Sequence, residues 1–351
     1  MDEVEALVAL SHIPYLGNVK IKVLLTQFGS ALNALNTDAK IIEELKGFGK
    51  KVSDGFKVWQ EDKRWKETIR LSKKHGVKII PYTSADYPEA LLEIEDFPLL
   101  LYVFGDLKKE DGLSLAVVGT RNATIYGLEM AEKISGDLSS QGFTIVSGLA
   151  RGIDTAAHKS ALERGGRTLA IIGSGLGNIY PKENSKLAEA IAQNGAVITE
   201  FAFLTPPDRQ NFPRRNRLVS GMTLGTVLVE APEKSGAMIT MNQAFAQRKK
   251  LFAVPGRGES FAGNHFLIKT HKAELVENSF DICKAFAGII SLNPLKSKEK
   301  ALKPILSKEE QELLNQLPSM EFSIEEAISK SQASCNEIKC FINEFSIKKS
   351  N

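Results

Sequence analysis

From residue 113 onward, short and almost wholly apolar runs alternate with longer segments in which apolar positions recur at helical spacing. The runs are LSLAVVG (113–119), FTIVSG (143–148), TLAIIG (168–173), AVITEFAF (196–203), TVLVEA (226–231) and KLFAVPG (250–256). Between them lie segments such as YGLEMAEKISGDLSSQG (126–142) and SKLAEAIAQNG (185–195). Strands without a polar face are buried on both sides, and strands separated by helices join in parallel through crossovers. The pattern predicts an α/β fold with a mainly parallel, doubly wound sheet. Ahead of it, VKII (77–80) and LLLYVFG (99–105) read as strands and YPEALLEI (87–94) as a short helix.

Residues 4–60 follow another pattern, short helices punctuated by glycine, in which IPYLGNVK (13–20) and LKGFGKKV (45–52) each set a glycine turn before a lysine-bearing helix. Two readings stay open here. One is a pair of helix-hairpin-helix units whose helix N-termini attract phosphates; the other is a small helical domain that uses glycine only for tight turns. After FDICKAF (280–286) periodicity lapses through AGIISLNPLKSKEKALKP (287–304), and three helical stretches follow. The expected organisation is a helical domain over 1–65, the sheet domain over 66–288, a linker over 289–304 and a small helical domain over 305–351.

Composition narrows the class. With 351 residues, 43% of them hydrophobic, the chain can bury a sizeable core. The opening MDEVEALVAL is acidic where a signal peptide is basic, and no apolar run approaches the roughly 20 residues that span a bilayer. A cytoplasmic protein without membrane contact is expected. Cys283, Cys335 and Cys340 show no C-x-x-C spacing, and the five histidines are scattered, so neither a disulfide framework nor a metal site is expected. No cofactor is expected either: G-x-G-x-G at Gly173, Gly175 and Gly177 is not the dinucleotide fingerprint G-x-G-x-x-G.

The net charge of +3 is concentrated in one place. In TPPDRQNFPRRNRLVSGMT (205–223), Arg209, Arg214, Arg215 and Arg217 surround Phe212 and only Asp208 opposes them. The stretch reads as an arginine-dense loop stiffened by prolines. Guanidinium groups bind phosphate oxygens through paired hydrogen bonds, and a neighbouring aromatic offers a stacking face to a base. The competing reading is an exposed loop whose arginines pair with nearby carboxylates. Three turns after strands add to the first reading. Arg121 follows VVGT, with Thr120 and Asn122 able to bond the same anion; SGLARGID (147–154) offers backbone amides and Arg151; SGAMIT (235–240) brings Ser235, Gly236 and Thr240 to a helix start. Asp154 and His158, one helical turn apart, form either an acid–base pair or a capping aspartate beside a histidine. Glu200 and Glu230, each after a strand, are read as salt-bridge partners for the arginines.

VVGTRNATIYG, IVSGLARGIDTAAH, TLAIIGSGLGNIYP, NFPRRNRLVSGMT, VLVEAPEKSGAMIT and FAVPG, in this order over roughly residues 76–283, together resemble the DNA-processing protein A family. The resemblance implies an extended Rossmann-like domain that binds single-stranded DNA without sequence preference, protects it and loads the RecA recombinase onto it during natural transformation. It implies a homodimer and no catalytic activity. The G-[ST]-R turn, the S-G-x-x-x-G-x-D loop and the F-x-x-R-N-R segment transfer as DNA contacts onto Arg121, onto Ser147, Gly148 and Arg151, and onto Phe212, Arg214, Arg215, Asn216 and Arg217. Ser235 and Gly236 join from the later loop. Arg121 and Arg217 are expected to hold phosphates and Phe212 to stack on a base, with Arg217→Ala lowering DNA affinity and leaving folding intact. The N-terminal helices agree with the SAM-like domain of many members, and the C-terminal stretch with a winged-helix-like domain lacking its β-hairpin wing. An alternative from another class is a nucleoside-monophosphate phosphoribohydrolase on a similar fold, whose P-G-G-x-G-T-x-x-E pattern survives only as Gly225, Thr226 and Glu230. A third class, a scaffold acting through its terminal domains, leaves the arginine cluster unexplained.

Overall fold

The computed structural model describes residues 1–288; the predicted linker, the C-terminal helical stretches, Cys335 and Cys340 lie outside the described residues. The chain opens with six helices, α1 (Glu3–His12), α2 (Asn18–Phe28), α3 (Ala31–Leu35), α4 (Ala39–Glu44), α5 (Gly49–Val58) and α6 (Lys63–Lys74). Local sequence sets their starts: Asp2 accepts from the Glu5 amide while Glu5 reaches back to the Asp2 amide, and Ser30, Asp38 and Asp62 cap α3, α4 and α6. Their apolar faces meet around Leu10, Leu24, Ile42, Phe56 and Trp65, and this core runs on to Leu99 and Leu100 at the edge of the sheet.

The sheet region continues with β1 (Lys78–Pro81), α7 (Glu89–Leu92), β2 (Leu100–Gly105), β3 (Ser114–Val118), α8 (Ile125–Ser140), β4 (Thr144–Ser147), α9 (Ile153–Glu163), β5 (Thr168–Ile171), α10 (Ser185–Asn194) and β6 (Ala196–Thr199). It then runs through α11 (Asn211–Gly221), β7 (Gly225–Leu228), α12 (Gly236–Ala246), β8 (Lys250–Ala253), α13 (Ala262–Lys269), β9 (Glu274–Leu275) and α14 (Ser279–Lys284). One nine-stranded sheet results, in the order β1-β2-β6-β5-β4-β3-β7-β8-β9. β3 to β9 pair in parallel, while β2 runs antiparallel to β6 and β1 antiparallel to β2. The fold is the predicted mainly parallel α/β sheet.

Because successive side chains of a strand point to opposite faces, each central strand feeds two cores. Leu115 and Val117 pack with Ile134 and Leu138 of α8 and Ala157 of α9. Ala116 and Val118 pack with Leu218 of α11 and Met238 and Met241 of α12. A third group, Ile172, Val197, Ala188 and Ile191, seats α10. Each fully buried aliphatic side chain contributes on the order of 1.5–3 kcal/mol, so both helical layers are anchored to the sheet by burial.

Two local expectations change. AVITEFAF is strand only as far as Thr199; beyond it Phe201 and Phe203 are buried from a turn, Phe203 stacked on His75 at 5.3 Å. The arginine-rich stretch is not a loop after Gln210 but helix α11, with Pro213 in its first turn. Proline is tolerated there because the amide it lacks has no acceptor within the helix.

Candidate functional site

β3 has β4 on one side and β7 on the other, and the helices that follow β3 and β7 cover opposite faces of the sheet. The loops after these strands therefore part, which leaves a crevice at the carboxyl edge. A cavity of about 380 Å³ opens there, lined by Arg121, Gly148, Phe212, Arg215, Asn216, Ser235 and Gly236, with Asp154 and Thr240 in its wall. Behind this edge Asn264, buried, donates to the Leu228, Val229 and Val254 carbonyls and accepts from the Ala231 amide, tying β7 to the segment after β8.

The turn that carries Arg121 is braced by Glu230. The Glu230 carboxylate accepts from the Thr124 amide at 3.0 Å and the Thr124 hydroxyl at 2.9 Å, and its carbonyl accepts from the Thr120 amide at 2.7 Å. Thr124 in turn caps α8 by accepting from the Gly127 amide. Glu230 is fully buried and bonded to Thr124, not to an arginine as expected. Gly127 leaves room for this carboxylate: a Cβ there would overlap Glu230 Oε2 and stand 3.0 Å from its Cδ. Gly127→Ala is expected to push Glu230 off Thr124 and lower stability by about 1–3 kcal/mol, read as a reduced midpoint in urea; an unchanged midpoint would contradict the brace.

The arginines do not act as one strap. At about 100° per residue the turns of α11 send them in different directions. Arg214 points outward, its side chain 58% exposed, with Glu200 3.6 Å away and the Phe201 ring at 5.2 Å. Arg215 turns into the sheet edge, 5% exposed, and donates to the carbonyls of Gly148 and Ile171. Its guanidinium lies flat against Gly148, where a Cβ would stand 2.7 Å from both terminal nitrogens. Burial lowers its pKa to about 10, with Asp154 opposing the shift. Asn216 accepts from Arg215 Nε at 3.1 Å and donates to the Gly236 carbonyl at 3.3 Å, tying α11 to the start of α12. Arg217, 7% exposed, lies on the other flank of α11, with Nη2 2.7 Å from Glu200 and Nε 2.8 Å from Asp96. Glu200 is thus the arginine partner the sequence suggested. Burial pushes its carboxyl pKa up and the two arginines pull it back. Arg217→Ala would leave that buried carboxylate with Arg214 alone, 3.6 Å away, so the change is expected to lower stability as well, read as a reduced midpoint in urea. Arg209 is exposed on the approach to α11 and does not line the cavity.

Ser147 and the loop after it serve the interior. The Ser147 hydroxyl is buried and donates to the Val117 carbonyl at 2.6 Å, pinning β4 to β3. The amides of Gly148 and Ala150, expected to be open to a ligand, are taken by Asp154 Oδ2 at 3.0 and 3.2 Å. Burial pushes the Asp154 carboxyl pKa up, against the pull of Arg215 and these two amides. Asp154 and His158 form no acid–base pair. His158 Nδ1 lies 2.6 Å from the Thr168 hydroxyl, which spends its own proton on the Ile145 carbonyl, so Nδ1 carries the hydrogen. Nε2 is buried without a partner.

Burial, with Arg215 adding to it, lowers the His158 pKa from 6.5 to about 3. The unfolded chain then binds the extra proton first as pH falls, so this stabilisation is complete above 6.5 and is lost progressively toward about 3. The expected loss is at most about 1.4 kcal/mol per pH unit, measured by urea unfolding at pH 7.5 and 5. His158→Asn should flatten the dependence, and an unaltered slope in that variant would remove His158 as its source.

What stays open to solvent is Arg121, exposed, with its guanidinium 5.6 Å from the centre of the Phe212 ring. Tyr180, not singled out from the sequence although it closes the GNIYP run, faces Phe212 at 5.8 Å and is 40% exposed. Arg151 is exposed and ion-paired with Glu183. Ser235 caps α12 by accepting from the Met238 amide, and Gly236 is exposed at the first position of that helix. The amides of the first turn of α12 and Arg121 thus face one cavity, a setting that favours an anion. Gly173, Gly175 and Gly177 serve packing: the first lies against Phe212, the others against the 202–203 backbone. Among the described residues, no group of His, Cys, Asp and Glu could hold a metal, and no helix is long and apolar enough to cross a membrane.

A mainly parallel sheet with a cationic, aromatic-bearing cavity at its switch point defines an α/β protein of the doubly wound class. Within that class the chain belongs to the DNA recombination-mediator protein A family, whose model matches residues 78–287. It is 41% identical over 209 residues to Protein Smf of Escherichia coli strain K12, a stretch that covers 57% of this chain and 56% of that protein. It resembles the X-ray structure of DNA processing protein A from Streptococcus pneumoniae, with TM-score 0.69, 30% identity, and coverage of 81% of this chain and 98% of that one. DNA processing protein A from Helicobacter pylori, whose structure was solved for its single-stranded DNA binding mode, matches with TM-score 0.56 and 30% identity over 61% of this chain and 97% of that one.

Proposed function

We propose that the cavity at the α11–α12 edge binds the backbone of single-stranded DNA without sequence preference. Arg121 and the first-turn amides of α12 hold phosphate, and Phe212 with Tyr180 offers a stacking face to a base. The observation that carries this reading is the exposed guanidinium of Arg121, without an ion-pair partner among the described residues, set beside a partly exposed aromatic ring over a helix N-terminus. Ser147, Gly148, Arg215 and Asn216 shape this edge from behind, and Arg151 and Arg214 extend its positive rim. The single-stranded DNA binding of the Helicobacter relative supports the same ligand.

On this reading the protein acts in the cytoplasm as a non-catalytic homodimer that protects single strands and loads RecA onto them during natural transformation. The phosphoribohydrolase alternative needs a carboxylate free for substrate, and Glu230, its best match, is fully buried and bonded to Thr124. Fluorescence anisotropy of labelled oligo-dT and of the matching duplex, at two salt concentrations, tests the proposal. Salt-sensitive binding that favours the single strand is expected; binding of neither, or preference for the duplex, would overturn it.

A further inference from the structure

A second cleft lies on the other flank of α11. Pro213 borders both openings, so the two flank the first turn of that helix. This cleft, of about 520 Å³, is lined by Tyr15, the residues 17–20, Arg214, Arg217 and Gln243, with Asp96 its one carboxylate.

Three features fit it to an anionic strand. The first is the start of α2, an 11-residue helix whose N-cap is Gly17 and carries no side-chain cap. Its first turn has no acidic residue and instead holds Lys20, a charge that opposes the positive end of the helix dipole. The Lys20 ammonium lies 5.6 Å from the Phe48 ring, which eases part of that repulsion, and an anion bound at the turn would ease it further. The second is Arg217, whose side chain is more than nine-tenths buried at the floor of the cleft and whose buried Nη1 has no hydrogen-bond partner among the described residues. Its outer edge meets the Asp96 carboxylate, which is 53% exposed and stands where an incoming oxyanion would stand. The third is Tyr15, 68% exposed at the rim and held in the left-handed region at φ 63°, with Lys51 5.3 Å from its ring. A bulky residue in that region is rare and strained, and here the turn presents an exposed aromatic ring beside a cationic cleft, the pairing that single-strand binders use.

We propose that this cleft is a second contact for the same strand: DNA leaving the α11–α12 cavity crosses Pro213, a phosphate is held by the first-turn amides of α2 with Lys20 and Arg214, and the adjoining base stacks on Tyr15. Asp96 is the competing anion that the phosphate displaces from the edge of Arg217. The inference rests on the single-stranded DNA reading given above, and it assigns to the N-terminal helices a part in that binding.

Oligo-dT of two lengths separates the two claims. A strand of about six nucleotides is matched to the first cavity and one of about twenty reaches across both. With the full chain, Tyr15→Ala and Lys20→Ala are expected to weaken the long strand about 5- to 10-fold each and to leave the short one unchanged. Lys20→Ala should also lower the salt slope for the long strand by about 0.7, one phosphate's share. Asp96→Asn, which removes the competing carboxylate, should tighten the long strand several-fold. Tyr15 and Asp96 are exposed, so circular dichroism and the urea midpoint should stay at parental values and certify folding. Parental affinity of all three variants for the long strand would overturn the second contact while the first reading stands. Equal losses on both lengths would overturn it as well, since the α2 residues would then act through the first cavity. If the parent binds neither strand, both proposals fall together.

Discussion

Arg215→Ala should cost the protein about 3–5 kcal/mol of stability, the penalty for removing a buried charge and leaving its buried counter-charge without it. Arg215 donates to the carbonyls of Gly148 and Ile171, and it is the positive charge acting on the fully buried Asp154. Without it two carbonyls lose their donor and Asp154 keeps only the Gly148 and Ala150 amides against the cost of burial. Arg215→Lys should recover little, because an ammonium on a flexible stem cannot reproduce the planar fork that spans both carbonyls. Chemical unfolding of the parent, Arg215→Ala and the double variant Arg215→Ala/Asp154→Asn measures this. The double variant should be more stable than the sum of the single losses. A loss below about 1 kcal/mol for Arg215→Ala would show that its charge is not part of the fold's support.

Arg121→Ala and Phe212→Ala should have the largest effects on DNA. A charge-assisted hydrogen bond contributes about 1.5–3 kcal/mol and base stacking about 1–3 kcal/mol by alanine substitution, so each change should weaken oligo-dT binding by roughly 5- to 100-fold. The two differ in salt response. Arg121→Ala removes a phosphate contact and should lower the salt slope by about 0.7, whereas Phe212→Ala should leave the slope unchanged. Arg121 is exposed, so its variant should unfold at the parental midpoint. Anisotropy titrations at several salt concentrations provide the readout, and parental affinity in both variants would remove this cavity as the binding site. The contrast with Arg215 is the informative part: one arginine is expected to change binding without stability, and the other stability first.

The fold was legible because strand burial on both faces writes itself as unbroken apolar runs, and the glycine-ended turns marked the edge on which the loops gather. LSLAVVG became β3 and TVLVEA contained β7, and the turn bearing Arg121 lies at the crevice between them. Legibility failed where one side chain had to be assigned to one of several directions. Arg214, Arg215 and Arg217 are nearly adjacent in the chain, yet α11 places the first in solvent, the second against Gly148 and the third on Glu200. Tyr180 was missed for the converse reason: it is distant in sequence from Phe212, and only the packed loops bring the rings to 5.8 Å.

The sequence by itself therefore determined the mainly parallel α/β sheet, the edge that carries the site and a local excess of positive charge. Periodicity and turn chemistry are properties of neighbouring residues and need no third dimension to be read. Only the tertiary structure decided which charges remain available. That depends on which carboxylate, carbonyl or amide lies within hydrogen-bond distance, and Glu200, Asp154 and Glu230 reach their partners across 17 residues or more, or, for the amides that Asp154 binds, around a turn closed by the packing of α9. An arginine is free for a ligand or already structural according to whether the fold has satisfied it, and on that ground the fold leaves Arg121 exposed and spends Arg215 on the Gly148 and Ile171 carbonyls.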